Sequence, residues 1–396
     1  MDRRHFLKNT TLASSLFFMP SFIRAFEDTL SSNLGYKRLV IIQLSGGNDG
    51  LNTVVPFNND VYYRSRPKLA LKRPDLISIT DDLGFHGALK PLKRLYDQGH
   101  LSIINNVGYP NPNRSHFRAT DIWQTASPSN KYYKNGWIGR FLDQHGNEPY
   151  NAIELNESLS LALQGKKLSG MAFRNPHTFY QLSQDPFIKQ VTKQNEDTHL
   201  SEHNLGYLYK TMIAAESSAK YIHEKNTIKN STIDYPKNGF AHQLKTTASF
   251  INSRLKTKVF YASLDGFDTH VNQANTHSKL LETYAESVEA FVKDLKKHDT
   301  FNDTLILTFS EFGRRVKQNA GNGTDHGAAN NVFIIGNKLK KPGVYNPLAS
   351  LSDLDDQGDV KFEIDFRAIY ATVLNKWLDV DAVPILNQQF NQLDFI

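Results

Sequence analysis

Six side chains that can bind a divalent cation follow apolar runs of this sequence. The runs 39–44, 259–264 and 304–309 each have the composition of a buried strand. Carboxylates, imidazoles and glycines come after each run, and the candidate ligands are Asp49, Asp268, His270, Glu311, Asp325 and His326. Such ligands suit zinc, manganese, magnesium or calcium. The pattern therefore predicts a metal site with one or two divalent ions and hydrolytic chemistry.

The candidate ligands differ in how they are placed along the chain. Asp268 and His270 are two residues apart, so both face one side of an extended segment. Asp325 and His326 lie on a loop bracketed by glycines, which lets backbone approach an ion closely. Asp49 also lies among glycines, and there an Asn-Asp-Gly turn that needs no ligand is the alternative.

Glu311 and Ser115 each have a functional and a structural interpretation. Arg314 and Arg315 follow Glu311, so Glu311 is either a metal ligand or one half of a salt bridge. Ser115 comes soon after two prolines and is predicted at the N-cap of a helix. A hydroxyl there is either a metal-activated nucleophile or a plain cap. Arginines that match the oxygens of an anionic ester are Arg114, Arg118 and Arg314.

Strand and helix patterns alternate along the chain and must position these residues. Further strands are expected at 101–107 and 331–335, and helices at 87–99, 116–125, 138–143, 205–222, 240–255, 279–297 and 365–378. Alternation of this kind predicts an α/β fold with a central, mainly parallel sheet and helices on both faces. We expect a single domain over 37–396, within which 155–240 is a peripheral helical or irregular insertion.

The N-terminus has the pattern of an export signal. Residues 1–26 begin with Arg3-Arg4-His-Phe-Leu-Lys, continue as an uncharged stretch and end near Arg24-Ala25. This resembles a twin-arginine signal, and the alternative is a membrane anchor. The uncharged stretch is shorter than the roughly 20 residues of a spanning helix. We therefore expect an exported protein, periplasmic or on the surface of a bacterium, without a stable membrane span.

The composition and charge of the chain exclude some kinds of metal site and argue against one kind of partner. The 396 residues include no cysteine, which excludes thiolate metal sites and disulfides. The net charge of +6 is small for this length, and the lysines are dispersed. No nucleic-acid partner is expected, because arginine-rich arms and basic stripes interleaved with aromatic residues are missing from the sequence.

Several motifs, in order, resemble the bacterial DUF1501 family. They are Ser-Gly-Gly-Asn-Asp-Gly-Leu-Asn at 45–52, Arg-Ser-His-Phe at 114–117, Gly-Phe-Asp-Thr-His at 266–270, Ser-Glu-Phe-Gly-Arg at 310–314, Thr-Asp-His-Gly at 324–327 and Asp-Phe-Arg-Ala-Ile-Tyr at 365–370. The family is in turn distantly similar to the alkaline phosphatase and sulfatase superfamily. That resemblance implies an alkaline-phosphatase-like fold.

The superfamily resemblance also implies an order of site residues. Matching its ligands and nucleophile along the chain gives Asp49, Ser115, Asp268 with His270, Glu311, and His326. Glu311-Phe312 stands where the superfamily has an Asp-His pair, and the spacing from Asp268 to His270 is short. Both departures leave the second metal open. The lack of cysteine excludes a cysteine-derived formylglycine.

The leading prediction is an exported, metal-dependent hydrolase of small anionic esters of phosphate or sulfate. The alternative is a non-catalytic binding or scaffold protein that keeps the fold, with a protein partner at the polar insertion. A third hypothesis is an exported enzyme that acts on carbohydrate. Its stacking faces would be Trp123, Tyr132, Tyr133 and Trp137.

Overall fold

A computed structural model describes residues 37–193, 204–228 and 230–396. Within it, Arg38–Ile396 form one compact unit. The predicted signal peptide, residues 1–26, lies outside the described residues.

One large mixed sheet organises the described chain. The strands of the protein are β1 Arg38–Ser45, β2 Val54–Pro56, β3 Leu76–Ser78, β4 Leu83–His86, β5 Leu101–Gly108, β6 Ala152–Glu154, β7 Met171–Ala172, β8 Val259–Asp265, β9 Thr304–Phe309, β10 Arg314–Gln318, β11 Thr324–His326, β12 Asn330–Ile335, β13 Gly343–Val344 and β14 Ile364–Asp365. In the large sheet they lie in the order β13-β5-β12-β9-β1-β8-β6-β7, and β14 also pairs with β5. The small sheets β2-β4-β3 and β10-β11 are separate from it.

Helices cover both faces of the large sheet. They are α1 Asp60–Ser65, α2 Lys90–Asp97, α3 His116–Thr125, α4 Trp137–His145, α5 Pro176–Ser183, α6 Pro186–Lys193, α7 Asn204–Lys225, α8 Gly239–Asn252, α9 Gln273–Lys297, α10 Phe366–Thr372 and α11 Val383–Leu386. Val40 and Ile42 of β1 pack in one core with α8 and α9, whereas Leu39 and Ile41 pack in another with α3, α4 and α10. This alternation is what a strand buried on both faces requires.

The carboxyl ends of three neighbouring strands meet at one edge of the sheet. β1 pairs in parallel with β8 on one side and with β9 on the other. Ser45 at the end of β1 is the register partner of Asp265, and Gln43 is the partner of Phe309. The segments that leave these strands therefore emerge side by side, which is where ligands bind in open α/β sheets.

Most predicted elements are confirmed, and the sheet is mainly parallel with one exception. Strand β12, predicted at 331–335, runs antiparallel to both β9 and β5. Between β9 and β12 the chain forms only the hairpin β10-β11 and no crossover helix. A parallel return requires a crossover of a dozen or more residues, usually a helix, whereas this chain folds back and pairs in the opposite direction.

The segment 155–240 holds strand β7 at the edge of the large sheet together with α5, α6 and α7. Ile222 of α7 and Phe173 pack into the core on the α8–α9 face. None of the helices in the described part of the chain has the length and apolar character that crossing a bilayer requires.

Candidate metal centre

One oxygen of Asp268, just beyond β8, lies among three imidazole rings. Its Oδ1 is 3.0 Å from Nε2 of His270 and 3.3 Å from Nε2 of both His116 and His326. The Nε2 atoms of His270 and His326 are themselves 2.8 Å apart. Four potential ligand atoms from three separate segments thus converge at the sheet edge.

The Nδ1 atom of each of the three rings has a hydrogen-bond partner within the protein. His116 Nδ1 lies 2.9 Å from Oε1 of Glu311, and His270 Nδ1 lies 3.1 Å from Oδ1 of Asp325. His326 Nδ1 lies 2.7 Å from the backbone carbonyl oxygen of Arg114. All three partners are hydrogen-bond acceptors, so each Nδ1 carries the proton and donates it. Metal-binding histidines in proteins are held in this way.

These hydrogen bonds determine what the rings present to one another. In a neutral ring with a protonated Nδ1, Nε2 carries a lone pair. The lone pairs of His270 and His326 then face each other across 2.8 Å, and all three rings lie near a carboxylate oxygen that also accepts from Arg314. A cation or protons between the nitrogen atoms would relieve the repulsion of these lone pairs. The Nε2 of His116 is also buried with no hydrogen-bond partner. The donor set therefore fits a divalent cation.

The spacing of the donor atoms agrees with that conclusion. Zinc binds imidazole nitrogen at 2.0–2.1 Å in tetrahedral geometry, which places ligand atoms about 3.3 Å apart. The separations of 2.8–3.3 Å around Asp268 Oδ1 and His326 Nε2 are close to this. Among the described residues, His116, Asp268 and His326 form a group whose ligand atoms all lie within 4.8 Å of one another, and His270 is not part of this group.

Arg314 fixes Asp268 in place. Its Nη2 donates to Asp268 Oδ1 at 2.8 Å, while its Nε and Nη1 donate to the carbonyls of Gly47 and Thr324. Partial burial of Asp268 opposes ionisation, but the hydrogen bond and the charge of Arg314, together with His326 and His116, outweigh it and lower the pKa of Asp268 to about 2. Arg314 is also the register partner of His326 in the β10-β11 hairpin, so a single hairpin carries both residues to the site.

Glycines allow the segments that carry the site residues to approach one another closely. Gly46 has a φ of +113°, and a Cβ there would lie 2.4 Å from the backbone nitrogen of Asp268. The Gly46 N–H donates to Glu311 Oε1 at 2.8 Å, which orients the carboxylate behind His116. A Cβ on Gly323 would lie 2.2 Å from the carbonyl carbon of His270. Both glycines are required by close backbone approach.

His116 is the site residue that the sequence analysis missed. It is the first residue of α3, directly after Ser115, and its ring lies 4.3 Å from that of His326, centroid to centroid. The hydrogen bond that His116 donates to Glu311 raises the pKa of His116, whereas burial lowers the pKa of His326. Its only signal in the sequence is its place beside the predicted nucleophile in Arg-Ser-His-Phe.

The six predicted ligands occupy three kinds of position. Asp268, His270 and His326 contribute converging atoms. Glu311 and Asp325 do not contribute converging atoms, and each accepts a hydrogen bond from the Nδ1 of a histidine. Asp49 is fully buried elsewhere, with Oδ2 accepting from Arg66 at 2.7 Å and from Gln273 at 2.5 Å. Burial opposes ionisation of Asp49, yet the Arg66 guanidinium lowers its pKa below the usual value.

The predicted nucleophile lies next to the cluster, at the end of a helix. Ser115 is confirmed as the N-cap residue of α3, but its side chain makes no capping hydrogen bond. The residue is exposed, and its backbone N–H donates to Asn113 Oδ1 at 2.9 Å.

The three arginines predicted to bind the anion are engaged within the protein. Arg114 Nε donates to Asp359 Oδ2 at 2.7 Å, and its Nη2 lies 3.0 Å from Asp355 Oδ2. Arg118 is buried, donates to three backbone carbonyls and lies 3.8 Å from the ring centroid of Tyr132. Together with Arg314, they stabilise the loops around the site.

An open pocket of about 500 Å³ lies beside the cluster. Its lining residues are Ser45, Gly46, His116, Phe117, Thr120, Asp121, Gly266, Asp268 and Glu311. The pocket thus reaches from the sheet edge along the first turns of α3.

Two of the aromatic residues expected to stack on sugar rings are core residues instead. Trp123 stacks on Phe309 with a centroid separation of 4.7 Å, and Trp137 stacks on Tyr370 at 4.4 Å. Both tryptophans are buried. They cannot offer a face to a ligand, because the packing of α3, α4 and α10 on the sheet covers them.

Comparison with solved structures gives low similarity over most of the chain. The chain is similar to the lipoteichoic acid synthase LtaP of Listeria monocytogenes (11% identity, 91% of this chain and 74% of that chain, TM-score 0.40). It is also similar to a Vibrio parahaemolyticus protein of the alkaline phosphatase superfamily (10% identity, 91% of this chain and 72% of that chain, TM-score 0.40). A third similar structure is the PsFucS1 sulfatase of a Pseudoalteromonas species (12% identity, 93% of this chain and 72% of that chain, TM-score 0.37). No curated protein matches the sequence.

The family model gives a firmer result than these structures. The model described as "Protein of unknown function (DUF1501)" matches residues 36–384, which includes every residue of the converging cluster. The chain belongs to the DUF1501 family.

Proposed function

We propose that this protein is an exported hydrolase of phosphate or sulfate esters that uses one divalent metal ion. The ion would be held by Nε2 of His116, His270 and His326 and by Oδ1 of Asp268. One observation carries the proposal: the Nε2 atoms of three imidazoles lie 3.0–3.3 Å from one carboxylate oxygen, and each ring has a hydrogen-bond acceptor at Nδ1. Export is proposed from the Arg3-Arg4 signal pattern in the sequence.

A divalent ion in this position supplies Lewis-acid chemistry, polarising an ester oxygen and lowering the pKa of a nearby hydroxyl. The protein's own residues would do the rest. Glu311 and Asp325 keep His116 and His270 in the tautomer that presents Nε2, and the Arg114 carbonyl does the same for His326. Arg314 keeps Asp268 ionised.

Ser115 is the proposed nucleophile, because it is an exposed residue that precedes His116 directly and its side chain makes no capping hydrogen bond. Since Arg114, Arg118 and Arg314 are engaged elsewhere, the remaining oxygens of the anion would meet the N-terminus of α3. The Ser115 side chain does not cap that terminus, and uncapped backbone N–H groups with the helix dipole favour an anion.

The first experiment measures metal content in protein purified from a host that exports it. We expect about one equivalent of a divalent metal by elemental analysis, lost in His326→Ala and in Asp268→Asn. His177→Ala is the matched control, because His177 is an exposed histidine on α5. Folded protein that takes up no divalent metal at any stage of purification would overturn the proposal.

The second experiment measures turnover of aryl phosphate and aryl sulfate. We expect the metal-loaded protein to hydrolyse one of them, and Ser115→Ala to lose turnover while keeping its metal. Turnover retained in Ser115→Ala would remove Ser115 from the mechanism and leave water as the nucleophile.

A non-catalytic binding protein is the second candidate, and one observation favours it. Each arginine that could compensate an anionic ester is already committed to protein groups. Metal binding without hydrolysis of any phosphate or sulfate ester would support this alternative.

A further inference from the structure

The pocket beside the cluster has an unusual set of charges. Its lining includes three acidic residues, Asp121, Asp268 and Glu311, and among the described residues it includes no lysine or arginine. Two of the three acids have a partner, because Asp268 pairs with Arg314 and Glu311 faces His116. Within the described chain, no basic side chain forms an ion pair with Asp121. Its negative charge is therefore left open to the pocket.

An aromatic ring stands beside this carboxylate. Phe117 lines the same pocket and is 88% exposed, the largest exposed fraction among the exposed large apolar side chains of the described residues. On α3, Phe117 and Asp121 are four residues apart and Thr120 lies between them, so all three share one helix face. The turn of α3 that follows His116 thus offers a π face and a carboxylate together.

We propose that the ester handled here carries an ammonium group, held over Phe117 and beside Asp121. This inference rests on the proposed function, because it names the non-reacting part of the same substrate. The anionic end would lie at the converging cluster, and the ammonium end would lie one to two helical turns along α3. A zwitterionic phosphate or sulfate ester of an amino alcohol has this distribution of charge.

Charge complementarity is the reason to prefer an ammonium group over a neutral sugar. An aromatic face attracts a cation through its quadrupole, and a nearby carboxylate adds to that attraction. A sugar ring could also stack on Phe117, but it would leave the charge of Asp121 uncompensated. A second anionic group at this end of the substrate would be repelled by Asp121 and Asp268.

The test compares two probes of the same shape. Choline and its neutral isostere dimethylbutanol are titrated separately into the protein as purified, and binding is followed by changes in protein NMR signals. We expect choline to bind and dimethylbutanol to bind at least several-fold more weakly. Equal affinity for the two probes would overturn the inference, because it would show that the pocket recognises shape and not charge.

Variants of Asp121 and Phe117 test whether these two residues bind the ammonium group of choline. Asp121→Asn and Phe117→Leu should each weaken choline binding by about twofold to fivefold, the range for exposed ion pairs and cation–π contacts. Phe117→Trp should restore binding, because it keeps a π face. Glu282→Gln, an exposed acid on α9, is the control and should change nothing.

The outcomes separate this inference from the proposed function. Hydrolysis of an aryl ester together with no choline binding would reject the amine and leave the hydrolase intact. Charge-selective choline binding that depends on Asp121 would support the amine recognition even in protein that hydrolyses nothing. Binding that survives both Asp121→Asn and Phe117→Leu would place the ammonium elsewhere and overturn the inference.

Discussion

Two carboxylates that follow neighbouring strands have opposite surroundings in this protein. Asp49, after β1, is fully buried against the Arg66 guanidinium, with Gln273 as a further donor. Asp268, after β8, has a side chain that is 48% exposed, and three histidine Nε2 atoms lie around one of its oxygens. The first cluster neutralises its charge internally. The second also has an arginine, because Arg314 donates to Asp268, but it adds three imidazole nitrogens around one carboxylate oxygen, an arrangement that fits a metal ion.

This difference shows that the position of a carboxylate after a strand does not decide its role. What decides it is which partner arrives from a distant part of the chain. Arg66 comes from the end of α1 and donates to Asp49 Oδ2 and Asn52 Oδ1 through Nη1. His116 comes from the start of α3 and brings an imidazole nitrogen to Asp268, which also accepts a hydrogen bond from Arg314.

The largest effect should come from breaking the buried pair. Arg66→Met leaves Asp49 as an uncompensated buried charge and should lower the free energy of unfolding by about 3–5 kcal/mol. Urea denaturation would measure this, and Lys93→Met, which removes an exposed pair with Asp97, should cost less than about 1 kcal/mol. A loss below about 1 kcal/mol in Arg66→Met would show that Asp49 is not held as described.

A pH effect of somewhat smaller size should come from His277, which lies 2.9 Å from Asn48 Oδ1 in the Asp49 cluster. Burial lowers the pKa of His277 from 6.5 to about 4. Between these values the unfolded chain takes up a proton that the folded protein does not, so stability falls as pH falls, by up to about 3 kcal/mol. The contribution of Asp49, whose pKa is lowered, is lost only below the usual aspartate range.

Denaturation curves at several pH values would measure this slope. His277→Gln should flatten it between pH 6.5 and 4. An unchanged slope in the variant would assign the pH dependence to other groups.

Removal of a converging histidine should affect the metal and spare the fold. His116→Ala and His326→Ala should each weaken metal binding by at least about 100-fold, more than the loss of an outer partner causes. Asp49→Asn, compared in folded samples, should leave metal affinity within a few-fold of the parent. Loss of the metal in Asp49→Asn would restore Asp49 to the ligand set that the sequence suggested.

The smallest effect should come from the partner behind His116. Glu311→Gln keeps an acceptor for His116 Nδ1 but removes the charge, so metal affinity should fall by about tenfold. Asp325→Asn should have less effect, because the side chain of Asp325 is 52% exposed. Calorimetric titration with zinc would rank the two variants, and a larger loss in Asp325→Asn would contradict this ordering.

The local patterns predicted a large part of the fold. Strands β1, β8 and β9 and the N-cap Ser115 follow from residue types a few positions apart. The antiparallel direction of β12 did not follow from such local patterns, because it depends on the hairpin that precedes the strand. Asp268, His270 and His326 were found from their place after strands, whereas His116 was hidden because a histidine at the start of a helix has many ordinary explanations.

The sequence by itself determined the elements, the edge at which the strands end, and which residue types gather there. Only the tertiary structure decided which carboxylate is fully buried against an arginine and which is half-exposed and surrounded by imidazoles. The physical reason is that charge compensation depends on distances of about 3 Å between groups far apart in the chain, and spacing along a sequence does not contain those distances.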